Sequence, residues 1–176
     1  MIQHDRLAET FKKLVMIDSV SRTEAKIADE LCQMLAPFDP EIRVDGAAGP
    51  TGSDTGNLIV RIAGNTDAAP LMLNAHMDTV EPGQGVVPRF SDGVFTSEGN
   101  TILGADDKSA IAIILEVLHV LKENNLNHGP LELVFTICEE IGLLGAKNLD
   151  FSMISAPFGY ALDTSATDAI ITRAPG

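Results

Sequence analysis

The sequence predicts an α/β domain with a mainly parallel sheet covered on both faces by helices, and three observations carry that reading. Two segments near the start hold apolar residues at helical spacing. Several short apolar runs follow, each bounded by Gly, Pro or Asp as buried strands are. Residues 108–122 are apolar on almost every face, which marks a helix pressed against a sheet. Strands that alternate with helices join in parallel and need cover on both sides.

In chain order, Leu7, Phe11, Leu14 and Val15 line one face of a helix over 5–17. Ile27, Leu31, Met34 and Leu35 do the same over 23–35, where Pro37 and Pro40 stop the helix. Residues 46–56 are rich in Gly, Ser, Thr and Asp and read as a loop. Buried strands are expected at 57–62 and 71–75, then a hairpin over 89–96 turning at Ser91-Asp92-Gly93. The helix at 108–122 ends against Asn124, Asn125 and Gly129-Pro130. A strand at 131–137, a short helix at 144–148 and two strands at 159–162 and 169–172 complete the pattern. It contains no internal repeat, low-complexity tract or linker, and it leaves the strand order open.

A chain of 176 residues with 45% hydrophobic and 21% charged residues suffices for one domain with its own core. Its net charge of -13, with no basic stripe, argues against nucleic acid as a partner. The apolar runs are too short to span a membrane, and the first residues lack the apolar core of a signal peptide, so a soluble cytoplasmic protein is expected. Cys32 and Cys138 form no CxxC pair and read as two buried free thiols.

Four polar sites stand where apolar strands end or the apolar helix begins, the places where open α/β sheets hold ligands. His76 and Asp78 lie two apart after the run 71–75, so both side chains can face one cleft. A metal-binding imidazole backed by a carboxylate suits that spacing, although HxD alone more commonly means a capped turn. Asp106 and Asp107 open the long apolar helix; Asp107 reads as a cap favoured by the helix dipole and Asp106 as the ligand candidate. Lys108 reads as a partner for Asp107 or a neighbouring acid. Glu139 and Glu140 follow the strand at 131–137, and like charges there raise a pKa or recruit a metal, so one can bind while its neighbour acts as a base. Asp163 alone reads as a turn residue and gains meaning from standing in series with the others. This oxygen- and nitrogen-rich set suits zinc, manganese or cobalt. His4, His119 and His128 read as structural or solvated.

Taken together, LNAHMDTV, ILGADDKSAIAIILE, VFTICEEIGLLGAKNL and YALDTSA resemble, in order and spacing, the motifs of the di-zinc aminoacylase, carboxypeptidase and tripeptidase family, and most of all its peptidase T-like members. The resemblance implies a three-layer α/β/α zinc-peptidase catalytic domain with a mainly parallel mixed sheet. It implies that His76 and Asp163 bind one zinc, that Asp106 bridges two, and that Glu140 binds the second. Asp78 would orient His76, Glu139 would be the general base, and the peptide between Asp106 and Asp107 would be cis.

The implied reaction is hydrolysis of peptide bonds in short peptides, tripeptides first, by a water activated between two metals. An N-acyl amino acid deacylase or a dipeptidase of the same family is the alternative, and a non-catalytic metal-binding module is a third reading that an intact Glu139 speaks against. In that family a lid domain follows the segment that ends here near Gly176, and a returning segment supplies the last zinc-binding histidine. Residues 1–176 are therefore expected to be the N-terminal part of the catalytic domain, truncated before the lid. On that expectation the chain holds at most one zinc well, hydrolyses peptides weakly or not at all, and lacks the lid through which family members that dimerise do so.

Overall fold

The computed structural model describes residues 1–164 and 169–172. The chain forms α1 (His4–Val15), α2 (Ala25–Leu35), a 3-10 turn (Ala36–Phe38), β1 (Glu41–Val44), α3 (Ala48–Thr51), β2 (Leu58–Ile62) and β3 (Leu71–His76). It continues with β4 (Pro88–Ser91), β5 (Val94–Ser97), α4 (Ala105–Glu123), β6 (Leu131–Thr136), α5 (Leu144–Lys147), a 3-10 turn (Phe151–Met153) and β7 (Gly159–Ala161). The hairpin β4–β5 turns at Asp92 and Gly93, both at positive φ (52° and 81°), as a two-residue turn between twisted strands requires.

The main sheet has the order β1-β2-β6-β3-β7. β6, β3 and β7 run parallel, whereas β1–β2 and β2–β6 are antiparallel. The sheet is thus mixed, as expected, with its parallel character confined to the half that builds the site. No helix lies between β2 and β3, so that connection is not a helical crossover, and β2 and β3 flank β6 in opposite directions.

Alternation along the strands sorts the residues by face. Leu58, Val60, Ile62, Leu73, Ala75, Leu131, Leu133 and Phe135 join one core with Leu14, Ile27, Leu31, Ile111, Ile114 and Leu118. The three long helices therefore share this face. Glu116 of α4 ties α1 down by accepting from the Arg6 guanidinium at 2.7 Å and the Gln3 N–H at 2.7 Å. Helices packed on a mixed sheet give the α/β fold that was expected. On the opposite face the buried Glu132 accepts from the backbone N–H groups of Ser155 and Ala156, which straps the segment before β7 against the sheet.

Four local expectations change. β1, unread in the sequence, is an exposed edge strand of four residues whose pattern is too short to announce itself. The loop at 46–56 contains the one-turn helix α3. α4 is not apolar all round in space, because Ile113 and Val117 are exposed where the neighbouring elements leave it uncovered. Residues 169–172 form no strand, and Ile170 and Ile171 are exposed, since apolar alternation shows what a segment could bury and not that a pairing partner is present. Both cysteines are free, and Cys138 is buried. Among the described residues no helix is long and apolar enough to cross a membrane.

The segment after β6 folds back tightly on itself. Gly145 N–H donates to the Ile137 carbonyl at 3.1 Å, and the buried Asn57 side chain bridges them, accepting from Ile137 N–H at 3.1 Å and donating to the Gly145 carbonyl at 2.9 Å. A Cβ on Gly145 would stand 2.1 Å from the Ile137 carbonyl oxygen and 2.6 Å from Asn57 Oδ1. Gly145→Ala is expected to destabilise the chain by about 1–3 kcal/mol through overpacking. Urea unfolding measures this, and an unchanged midpoint would mean the fold-back is looser than this geometry.

Candidate metal centre

Parallel pairing is what gathers the site. His76 pairs with Thr136 in register, and Asn74 pairs with Ala161, so β6, β3 and β7 deliver their following residues to one rim of the sheet. His76 and Asp78 leave β3 there, Glu139 and Glu140 follow β6, Asp163 follows β7, and α4 begins beside them with Asp106 and Asp107. The six residues given a site role from the sequence, and Asp107 beside them, meet at this rim; Ser165 and Ala166 of the fourth motif lie outside the described residues.

The His76 ring is fixed on both sides. Its Nδ1 donates to the Asp78 backbone carbonyl at 2.8 Å, with Asp78 Oδ1 at 3.4 Å. A carbonyl only accepts, so Nδ1 carries the proton and the neutral ring keeps its lone pair on Nε2. Nε2 faces Asp106 Oδ1 at 3.0 Å and Glu139 Oε2 at 3.9 Å, an arrangement of acceptors that calls for a proton or a cation between them. Asp78 was expected to orient the imidazole through its carboxylate, but it does so mainly through its backbone. Its fully buried carboxylate accepts from the Ser21 hydroxyl at 2.6 Å, the Glu139 N–H at 2.8 Å and the Glu140 N–H at 3.2 Å. Burial pushes this carboxyl up, and the hydrogen bonds from His76, Ser21 and Glu139 outweigh it and hold the group below the usual range.

The start of α4 departs from its expected reading. The helix is entered through Gly104 in the left-handed conformation with no side-chain cap, and Asp106 and Asp107 have non-helical angles, while the peptide between them is cis as the resemblance implied. Asp107 therefore caps nothing: it is buried and accepts from the His76 backbone N–H at 3.2 Å. Lys108 shows no ion pair with Asp107; its buried ammonium donates to the Ile17 carbonyl at 2.6 Å. Burial pushes Lys108 down to about 8. His119 lies edge-on to Phe38, and His128 bonds the neighbouring Gly129 carbonyl, so neither joins the centre.

Among the described residues, three overlapping groups bring one donor atom each within 4.8 Å of one another: His76 with Asp106 and Glu140, His76 with Glu139 and Asp163, and Asp106 with Asp107 and Asp163. Burial raises Glu139 and Glu140, and the surrounding carboxylates, Asp106 and Asp78 among them, raise them further while His76 opposes. One imidazole against six carboxyl groups is a donor set that a divalent cation fits, because the cation supplies the charge the acids lack.

With this geometry in hand, comparison with known proteins decides the family: residues 57–163 match the profile of peptidase family M28. The chain belongs to peptidase family M28. This M28 chain is 43% identical over 176 residues to the uncharacterized protein YqjE of Bacillus subtilis, covering 99% of itself and 47% of that protein. Among solved structures it resembles the aminopeptidase PepT from Bacillus cereus, with a TM-score of 0.91 and 42% identity over 94% of the M28 chain and 44% of that one. It also resembles a tripeptidase from Staphylococcus aureus, with a TM-score of 0.91 and 41% identity over 94% and 45% of the two chains. The peptidase T-like resemblance read from the four motifs is borne out at the level of the fold. The M28 chain spans about half the length of the relatives it matches.

Two titrations set a pH dependence for the metal-free protein. Burial would lower His76, but the carboxylates of Asp78, Asp106 and Asp107 push it up from 6.5 to about 10; its contribution to stability is present in full below about 6.5 and is lost as pH rises through 10. Asp107 is pushed up from 3.8 to about 7 by burial and by Asp163 and Asp106, so the folded chain holds that proton longer and loses stability as pH rises from 3.8 through 7. In chelator the melting temperature is therefore expected to fall from about pH 5 to pH 8 and to level off from there to pH 10, where the folded chain has released the Lys108 proton that the unfolded chain still keeps and this offsets His76; added zinc is expected to flatten the fall. Calorimetric scans across that range test this; a flat profile in chelator would mean that these groups are not strained by one another.

Proposed function

We propose that this chain carries the N-terminal, metal-binding part of a metallopeptidase catalytic domain that hydrolyses short peptides, tripeptides first, with two zinc ions. The observation that carries the reading is the convergence of His76, Asp106, Glu139, Glu140 and Asp163 on one rim, within reach of His76 Nε2 or of each other. The similarity to an aminopeptidase and a tripeptidase supports the bond type and the substrate size.

In this reading His76 and Asp163 would hold one cation and Glu140 the other, with Asp106 in reach of both. Every pair drawn from His76, Asp106 and Asp163 recurs in one of the three donor groups, and Glu140 shares its group with Asp106. Manganese and cobalt suit the same oxygen and nitrogen donors. Cations bound there supply Lewis acidity and lower the pKa of water.

The chain's own groups do the rest. Asp78 keeps His76 in the tautomer that leaves Nε2 free, and its carboxylate fixes the backbone of Glu139 and Glu140. Glu139, half-shielded and raised above the ordinary carboxyl range by burial first and its acidic neighbours second, takes the proton released by the attacking water. It then delivers that proton to the departing amine, so water and peptide become a carboxylate and an amine with no covalent bond to the protein.

Glu139→Gln is expected to retain metal and lose about 10²–10⁴-fold in turnover, because a proton carrier is removed and not a ligand. His76→Ala is expected to lose bound zinc. Elemental analysis reads the first property, and tripeptide turnover on the chain completed to the length of the matched peptidases reads the second. Metal loss in the Glu139 variant would exchange the roles of Glu139 and Glu140, and unchanged zinc in the His76 variant would remove the imidazole from the centre.

A further inference from the structure

The turn carrying Glu139 and Glu140 is held through three successive backbone N–H groups. Asp78 accepts two of them, from Glu139 and Glu140. The third, the Cys138 N–H, donates at 3.0 Å to Oε1 of Glu24, a fully buried acid just ahead of α2. The same oxygen accepts from the Arg22 N–H at 2.9 Å and from the Cys138 thiol at 3.4 Å, while the Ser53 hydroxyl donates to Oε2.

Arg22 and Cys138 are both non-glycine residues in the left-handed region, at φ 81° and 52°. L residues enter that region only where their surroundings compel them. One carboxyl oxygen thus gathers the amides of both unusual turns. Next to Arg22, the Ser21 hydroxyl donates to Asp78. Glu24 and Asp78 are therefore two buried acids that clamp the same two segments, one on each side of the point from which Glu139 departs.

We propose that Glu24 is a positioning residue for the metal centre: it sets the turn at Cys138 so that Glu139 and Glu140 are presented to His76 and Asp106. This rests on the metal-centre reading for its functional consequence, and on geometry alone for the positioning. Among the described residues Glu24 makes no hydrogen bond to a candidate ligand side chain, so its action runs through the backbone.

Three variants test it, with amide hydrogen exchange by NMR and calorimetric titration of Zn²⁺ as readouts. Glu24→Met keeps the side chain's length and removes the acceptors. The Cys138 and Glu139 amides are expected to exchange about tenfold faster, with the β6 amides unchanged, and Zn²⁺ affinity is expected to fall about 10–100-fold. Glu24→Gln keeps an oxygen for the two N–H groups and can donate to Ser53, so both readouts are expected to stay within about threefold of the unaltered chain. Should the Met variant fail to fold, Glu24→Asp replaces it, since a carboxyl one methylene shorter cannot keep both amides. Unaltered exchange at 138 and 139 in the Met or Asp variant overturns the proposal, as does faster exchange with unaltered Zn²⁺ affinity, or a Gln variant as damaged as Met. If the unaltered chain takes up no Zn²⁺, the metal-centre reading fails by itself, and the exchange rates alone decide whether Glu24 positions the turn.

Discussion

The rest of the site depends on one buried carboxylate. Among the described residues Asp78 has no Lys or Arg paired with it; its oxygens are satisfied by one hydroxyl and two backbone N–H groups, and its own carbonyl holds His76. A buried anion left without such partners is costly, whereas hydrogen bonds to a charged group are worth about 1.5–3 kcal/mol each. The same demand fixes three chain segments at once: the loop at Ser21, the end of β3, and the turn after β6. The geometry of the candidate ligands is a by-product of satisfying Asp78.

Among the described residues the neighbouring acids have no comparable set of donors. Asp107 is buried with one backbone donor, and Glu139 and Glu140 stand beside each other and Asp106. The cation best placed in sequence to relieve them, Lys108, is turned away to the Ile17 carbonyl. The rim concentrates negative charge that no Lys or Arg among the described residues pairs with, and such regions are where cations bind and where carboxyl groups become proton carriers near neutrality.

The fold class, most strand positions and the six candidate residues that gather at the rim were legible because each is written locally. Period-two runs mark strands, and a polar residue that interrupts an apolar run at its end marks the rim. What escaped was set by three-dimensional company. Glu24 in SRTEAK looks like an acid at a helix start, and only the return of β6 beside it shows that it serves a different segment. Asp107 gives the same local signal, and the non-helical angles around it reverse its meaning. Asn57 reads as the first residue of a strand, yet its side chain staples Ile137 to Gly145. The antiparallel half of the sheet was hidden because direction belongs to a pair of strands and no single run encodes it.

Alternation in β3 ties the core to the site. Leu71, Leu73, Ala75 and Met77 point to the helices, so His76 and Asp78 must point the other way. A slip of one residue in this strand would bury the imidazole among leucines and send Met77 to the rim. The hydrophobic effect therefore aims the imidazole. Sequence drift in the core can exchange one aliphatic side chain for another freely, but an insertion or deletion inside β3 would erase the site and the packing in a single event.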